Sequence, residues 1–170
     1  MEYQEMILNK RLINFFLEMY NSVMFKKIGI IYKKSLSFDA DISAHIETIL
    51  SHSKELYFHE SAEDAPNVFP KLSKDELGDQ SDLIIVFGGD GTMLSTARDF
   101  IGYDIPIMGV NFGQIGFLTD SSENNFIKSI DDVFNDNFKL EERSFVKAEF
   151  DDKEIFGLNE IVLHSGSYAQ

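Results

Sequence analysis

Gly88-Gly89-Asp90-Gly91-Thr92 is the stretch whose residue types and spacing point most directly to chemistry. It follows the wholly apolar run Leu83-Ile84-Ile85-Val86-Phe87 and precedes the helix-compatible Met93-Leu94, so it reads as a strand end, a tight turn and a helix start. Gly88, Gly89 and Gly91 allow backbone angles that a side chain forbids, and they leave room for a phosphate to reach main-chain N–H groups. Thr92 is placed to cap the helix, whose N-terminus attracts anions. Asp90 puts a negative charge where a polyphosphate would lie. A carboxylate there either holds a metal ion or accepts a proton from an attacking hydroxyl, two recurring tasks in phosphoryl transfer. Asp-Gly is also a common turn pair, which is the plainer alternative for these residues alone.

The elements around this turn follow from the apolar pattern. A run of branched and aromatic residues without alternation predicts a strand buried on both faces, as in a parallel sheet covered by helices, where ligands bind at the carboxyl ends of the strands. Ile28-Gly29-Ile30-Ile31-Tyr32 predicts a first strand, Phe38 to Ser51 a helix with Ile42, Ile46, Ile49 and Leu50 on one face, and Glu55 to His59 a second strand. A loop through Pro66 and Pro70 leads to a short helix from Ser73 to Leu77, and the run ending at Gly88 is the third strand. Thr92 to Ile101 is a helix, Pro106 to Val110 a buried strand, and Glu123 to Phe134 a further helix. Strand and helix alternate, which predicts an α/β fold with a doubly wound, Rossmann-like sheet. From about Phe138 the pattern changes: Ser144 to Phe150 and Phe156 to Leu163 read as strands joined by a turn at Asp151-Asp152-Lys153, the start of an all-β region. The expected organisation is an N-terminal extension over 1–25, an α/β nucleotide-binding domain over 26–137, and the first strands of an incomplete β domain over 138–170.

Composition narrows the class. The 170 residues carry 15 Lys and Arg against 29 Asp and Glu, a formal charge of −14. Such a surface disfavours nucleic acid and anionic membranes as partners. Any polyphosphate must then find its positive field locally, from backbone amides and a divalent cation. With no cysteine, disulfides, thiolate zinc sites and cysteine nucleophiles are excluded, and a reducing cytoplasm is compatible. His45, His52, His59 and His164 show no metal-ligand spacing and are expected on the surface or in packing, so no protein metal site is assigned. In the extension, Leu8, Leu12, Phe15, Phe16, Met19 and Val23 suit an amphipathic helix, while Lys10, Arg11 and Asn14 interrupt any membrane span and Glu2 and Glu5 stand where a signal peptide is basic. Met24 stands just before the first strand, as an alternative initiator would.

Three motifs in order carry a resemblance. Gly88-Gly89-Asp90-Gly91-Thr92 with Met93-Leu94 and Ala97-Arg98 looks like the signature of NAD kinases; Asn111, Gly113, Gly116, Phe117 and Leu118 are similar to that family's second loop, and Leu158-Asn159-Glu160 resembles its third motif. The first motif alone also occurs in diacylglycerol and sphingosine kinases and, varied, in phosphofructokinases. The resemblance covers roughly residues 26 to 165.

It implies transfer of a phosphoryl group from ATP, or inorganic polyphosphate in some members, to the 2′-hydroxyl of the adenosine ribose of NAD, with a divalent ion such as Mg or Mn assisting. By the same resemblance Asp90 is the catalytic residue, Gly88, Gly89, Gly91 and Thr92 form the nucleotide-binding loop, Phe117 lines the adenine site, and Asn159 and Glu160 hold NAD hydroxyls and neighbouring groups. The partners implied are NAD and ATP, with no nucleic acid and no membrane, in a cytoplasmic homo-oligomer. An ordinary aspartic acid, with a pKa of about 3.9, cannot fully deprotonate a sugar hydroxyl in the ground state, so the proton moves late, as the new O–P bond forms. The family has a larger all-β second domain, of which this chain holds only the opening hairpin, and these residues alone are expected to have little or no activity. Two alternatives stay open: another kinase with the same loop acting on a lipid or sugar, and a non-catalytic nucleotide-binding module. A Rossmann dehydrogenase is disfavoured, because Tyr32-Lys33-Lys34-Ser35 stands where its glycine-rich loop would follow the first strand.

Overall fold

The computed structural model describes residues 25–33, 35–36, 38–112, 116, 118–150 and 153–158. The extension before Phe25, the alternative initiator Met24 and His164 lie outside the described residues. Strand β1 spans Lys27–Tyr32, helix α1 Ala40–His52, β2 Glu55–His59, β3 Lys71–Leu72, α2 Lys74–Gln80, β4 Leu83–Phe87, α3 Asp90–Asp99, β5 Ile107–Asn111 and β6 Ser121–Ser122. A 3-10 turn at Glu123–Asn125 leads into α4, Phe126–Phe134, before β7, Val146–Phe150, and β8, Lys153–Gly157.

β1 to β6 form one sheet in the order β3-β2-β1-β4-β5-β6, and every pairing in it is parallel. The doubly wound, Rossmann-like α/β expectation holds. β7 and β8 form a separate antiparallel pair, the hairpin expected after Phe138.

The central strand shows why the apolar run had no alternation. All five residues of β4 are buried, yet their side chains still leave the strand on opposite sides. Leu83, Ile85 and Phe87 enter one core with Ile28, Ile30, Ile42, Ile46, Ile49, Phe58, Phe126 and Ile130, so α1 and α4 cover that face. Ile84 and Val86 enter the other with Tyr57, Leu77 and Phe100, under α2 and α3. Local chemistry sets the helix starts: Asp39 accepts from the N–H groups of Asp41 and Ile42, and Ser73 and Glu76 form a reciprocal capping box. The Ser73 N–H and hydroxyl hold the exposed Glu76 carboxyl below its ordinary range.

Several sequence expectations are corrected. The helix after the glycine turn starts two residues early, at Asp90 rather than Thr92, and its N-cap is Gly89, with no side-chain cap. Thr92 therefore does not cap it. None of Gly88, Gly89 and Gly91 adopts a positive φ; among the described glycines only Gly102 does. The two-residue strands β3 and β6 were not expected, because two residues are too short to show a period, and Lys153 belongs to β8 rather than to the turn.

Phe87 ties the sheet to the cover above the turn. Its ring lies 5.4 Å from that of Phe112, 5.6 Å from Phe126 and 6.0 Å from the His45 imidazole, and it is fully buried. Phe87→Ala is expected to lower stability by about 3–5 kcal/mol, the usual cost of a large aromatic cavity, read as a fall in the urea midpoint without a change in slope.

Candidate active site

The sheet order reverses between β1 and β4. The chain leaves β1 toward β2 and β3, then returns to β4 beside β1 and continues outward to β5 and β6. Neighbouring strands whose continuations diverge leave a crevice at their carboxyl ends, where open α/β sheets bind ligands. Here the two strands end level, Tyr32 against Phe87, and the N–H of Lys33 donates to the Phe87 carbonyl at 3.0 Å. An open cleft of about 440 Å³ lies at this place, lined by Tyr32, Lys33, Gly89, Gly91, Thr92 and Ser95.

The three glycines of the turn have different reasons to be glycine. A Cβ on Gly88 would lie 2.6 Å from the Thr92 hydroxyl oxygen and 2.8 Å from its Cβ, so the first turn of α3 can sit on the strand end only if position 88 is bare. Thr92 thus packs back on the turn. A Cβ on Gly89 or on Gly91 would meet no described atom within 4 Å. Nothing in the described chain demands glycine there, whereas a phosphate approaching the start of an uncapped helix would.

Asp90 is absent from the lining of this cleft. Its carboxylate turns to the other side of the turn, toward the loop that follows β5, and its Oδ1 accepts the Leu118 N–H at 3.0 Å. The backbone passes so close at Gly116 that a Cβ there would overlap the Asp90 carboxyl group. The second motif therefore positions the carboxylate of the first, and two loops meet on one side chain.

The second loop is itself anchored. Asn111, buried at the end of β5, donates its amide to the Thr119 hydroxyl at 3.2 Å, and Asp120 accepts the Gly109 N–H at 2.8 Å. Burial pushes the Asp120 carboxyl above its ordinary range, against the lowering by the Gly109 N–H and the charge of Arg143. On the opposite wall of the crevice Tyr32 donates its hydroxyl to Asp64, which also accepts the Phe38 N–H at 2.7 Å and so fastens the chain leaving β1. Burial, followed by the Asp64 hydrogen bond, raises the Tyr32 phenol; the Tyr32 and Phe38 donors hold the Asp64 carboxyl low.

Of the expected site residues, Gly88, Gly89, Asp90, Gly91 and Thr92 come together at the end of β4 and the start of α3. Phe117, Asn159 and Glu160 lie outside the described residues. Sequence reasoning missed Tyr32, Lys33 and Ser95. Lys33 carries no local signal, since its proximity to Gly89 comes from the pairing of β1 with β4, and only Ser95, one helical turn beyond Gly91, was within reach of periodicity.

A hydrogen bond to a charged acceptor is worth about 1.5–3 kcal/mol. Asp90→Ala is therefore expected to speed hydrogen exchange of the Leu118 amide by roughly 10- to 100-fold, and Gly116→Ala, which displaces the carboxylate by overlap, to do the same with Asp90 still present.

The comparisons with known proteins agree with this geometry. The profile of the ATP-NAD kinase N-terminal domain matches residues 9–138. The NAD kinase of Natranaerobius thermophilus is 32% identical over 152 residues, covering 85% of this chain and 53% of that protein. That of a Marinomonas species is 40% identical over 100 residues, 56% of this chain and 34% of its own length. The chain thus spans about half or less of these curated relatives. A crystal structure of yeast NADH kinase complexed with NADH superposes on 80% of this chain and 47% of its own with a TM-score of 0.60 at 18% identity, a likeness of fold. With the profile covering most of its residues and the motif turn at the switch point of its sheet, the chain belongs to the NAD kinase family.

Proposed function

We propose that the protein contributes the nucleotide-binding domain and the catalytic aspartate of an enzyme that phosphorylates NAD to NADP. The observation that carries this reading is the pinning of Asp90, at the first position of α3, by the Leu118 N–H and the close approach of Gly116. A merely turn-forming Asp-Gly pair needs no second loop folded over its carboxylate.

In this reaction the 2′-oxygen of the adenosine ribose forms a bond to the terminal phosphorus of ATP or inorganic polyphosphate. The bond from that phosphorus to its bridging oxygen breaks, and ADP or the shortened polyphosphate leaves. The hydroxyl proton passes to Asp90. Gly89, Gly91 and Thr92 offer backbone and hydroxyl to the phosphates, and Gly88 lets the helix start close against the strand. Phe117 is assigned to the adenine site, Asn159 and Glu160 to NAD hydroxyls, from their match to the family's second and third motifs. Among the described residues no three His, Asp or Glu side chains converge on a point that would hold a metal ion. A divalent cation, Mg or Mn, is assigned to the phosphates as part of the substrate, a usual way for such ions to be bound.

The assignment divides the chain into an α/β nucleotide-binding domain over 26–137 and the opening of a β domain over 138–170, in a cytoplasmic homo-oligomer. No described helix is long and apolar enough to cross a membrane.

NADP formation from NAD, ATP and magnesium tests the proposal, measured on this chain and on a form extended past Gln170. Turnover is expected in the longer form and little or none in these residues alone. There, Asp90→Asn keeps the shape and removes the base, and should lower turnover by about 10²- to 10⁴-fold. Phosphorylation of a lipid or sugar in place of NAD would move the assignment to another acceptor. Nucleotide binding without turnover in the folded longer form would reduce it to a binding module.

A further inference from the structure

We propose that Lys33 holds the phosphate chain of the donor, which then lies between β1 and α3 while Asp90 works on the acceptor from the other side of the glycine turn. This rests on the phosphotransferase reading above and adds to it a donor-binding residue and a division of the site into two sides.

Lys33 is the first residue after β1, at the reversal of strand order. Its backbone is fixed by the bond from its N–H to the Phe87 carbonyl, 3.0 Å, which sets it directly across from the glycine turn. Among the described residues lining the 440 Å³ cleft it supplies the only charged side chain, the others being Tyr32, two glycines, Thr92 and Ser95. That volume is within the usual range of small-molecule sites, about 300–1,000 Å³.

Like most of the described lysines, Lys33 makes no ion pair among the described residues, so its charge is not taken up at the cleft. The nearby Asp64 is engaged by the Tyr32 hydroxyl and the Phe38 N–H. Opposite Lys33, Gly89 and Gly91 present bare backbone with open space where a Cβ would be. The negative group of the motif, Asp90, is held on the far side by the second loop. A cation, bare backbone and a hydroxyl share one wall-to-wall space from which the carboxylate is excluded, the arrangement a polyphosphate anion requires.

The test uses full-length enzyme carrying Lys33→Ala or Lys33→Arg, with ATP and with inorganic tripolyphosphate as separate magnesium-bound probes. Lys33→Ala should raise the KM for ATP, and weaken tripolyphosphate binding measured by calorimetry, on the order of 10- to 100-fold, while the KM for NAD stays unchanged; Lys33→Arg should restore most of both. An ATP KM unmoved by Lys33→Ala overturns the proposal. So does a loss seen with ATP and not with tripolyphosphate, since Lys33 would then be reading the nucleoside, and so does a parallel rise in both KM values with a lowered Tm. The two readings fail separately. Lys33-dependent tripolyphosphate binding without any NADP formation would remove NAD as acceptor and leave the donor site standing, whereas NADP formation indifferent to Lys33 would do the reverse.

Discussion

The site depends on one pairing, that of β1 with β4 in the middle of a parallel sheet. Parallel strands need long crossover connections, so the two strands that meet at the centre are distant in sequence and their exits diverge. The crevice follows from that divergence. It brings the backbone after Tyr32 against the glycine turn after Phe87, and it does so with strand ends that are level because Ile28 pairs with Leu83 and the register runs unbroken to the end. The depth of burial on both faces keeps this register fixed: slipping by one residue would exchange the side chains of Ile85 and Phe87 with those of Ile84 and Val86 between two differently shaped cores.

Sequence alone shows the parts that local physics dictates. The buried run of β4, the apolar face of α1 and the strand at Glu55–His59 carry their own periodicity or its telling absence, and the structure places them within a residue or two. The glycine motif was legible as a turn between strand and helix, but its internal geometry was not. Position φ values and the N-cap at Gly89 depend on how tightly α3 seats on the strand, a tertiary matter decided by Gly88 against Thr92. β3 and β6 exist because an existing edge templates two more residues, so their own side chains say nothing about them. The direction of Asp90 lay equally out of reach. It is set by an N–H that follows 28 residues later, at Leu118.

The charge balance gives the two-sided arrangement its physical sense. A chain at −14 repels polyanions at long range, but at physiological ionic strength that field is screened beyond about 8 Å. What governs binding is then the composition of the last few ångströms. A carboxylate lining the cleft would oppose a phosphate at short range, where screening is weak, and the same carboxylate turned through the turn to the β5 side no longer does. The Leu118 N–H and the bare Gly116 thus serve two ends at once: they orient the carboxylate, and they keep it out of the space shared by Lys33, Gly89 and Gly91.

The glycines then fall into two classes with different evolutionary freedom. Gly88 and Gly116 are constrained by their own chain, because a Cβ at either would strike Thr92 or Asp90. Any protein that uses this turn to aim an aspartate needs them bare, whatever it binds. Gly89 and Gly91 face space that no described atom fills, so the described chain itself does not require them bare. A side chain at either of the first pair forces its own neighbours to shift, whereas one at either of the second meets no described neighbour. The short motif therefore joins a glycine that the packing of its own turn requires to two that the described chain leaves free, with the aspartate between those two.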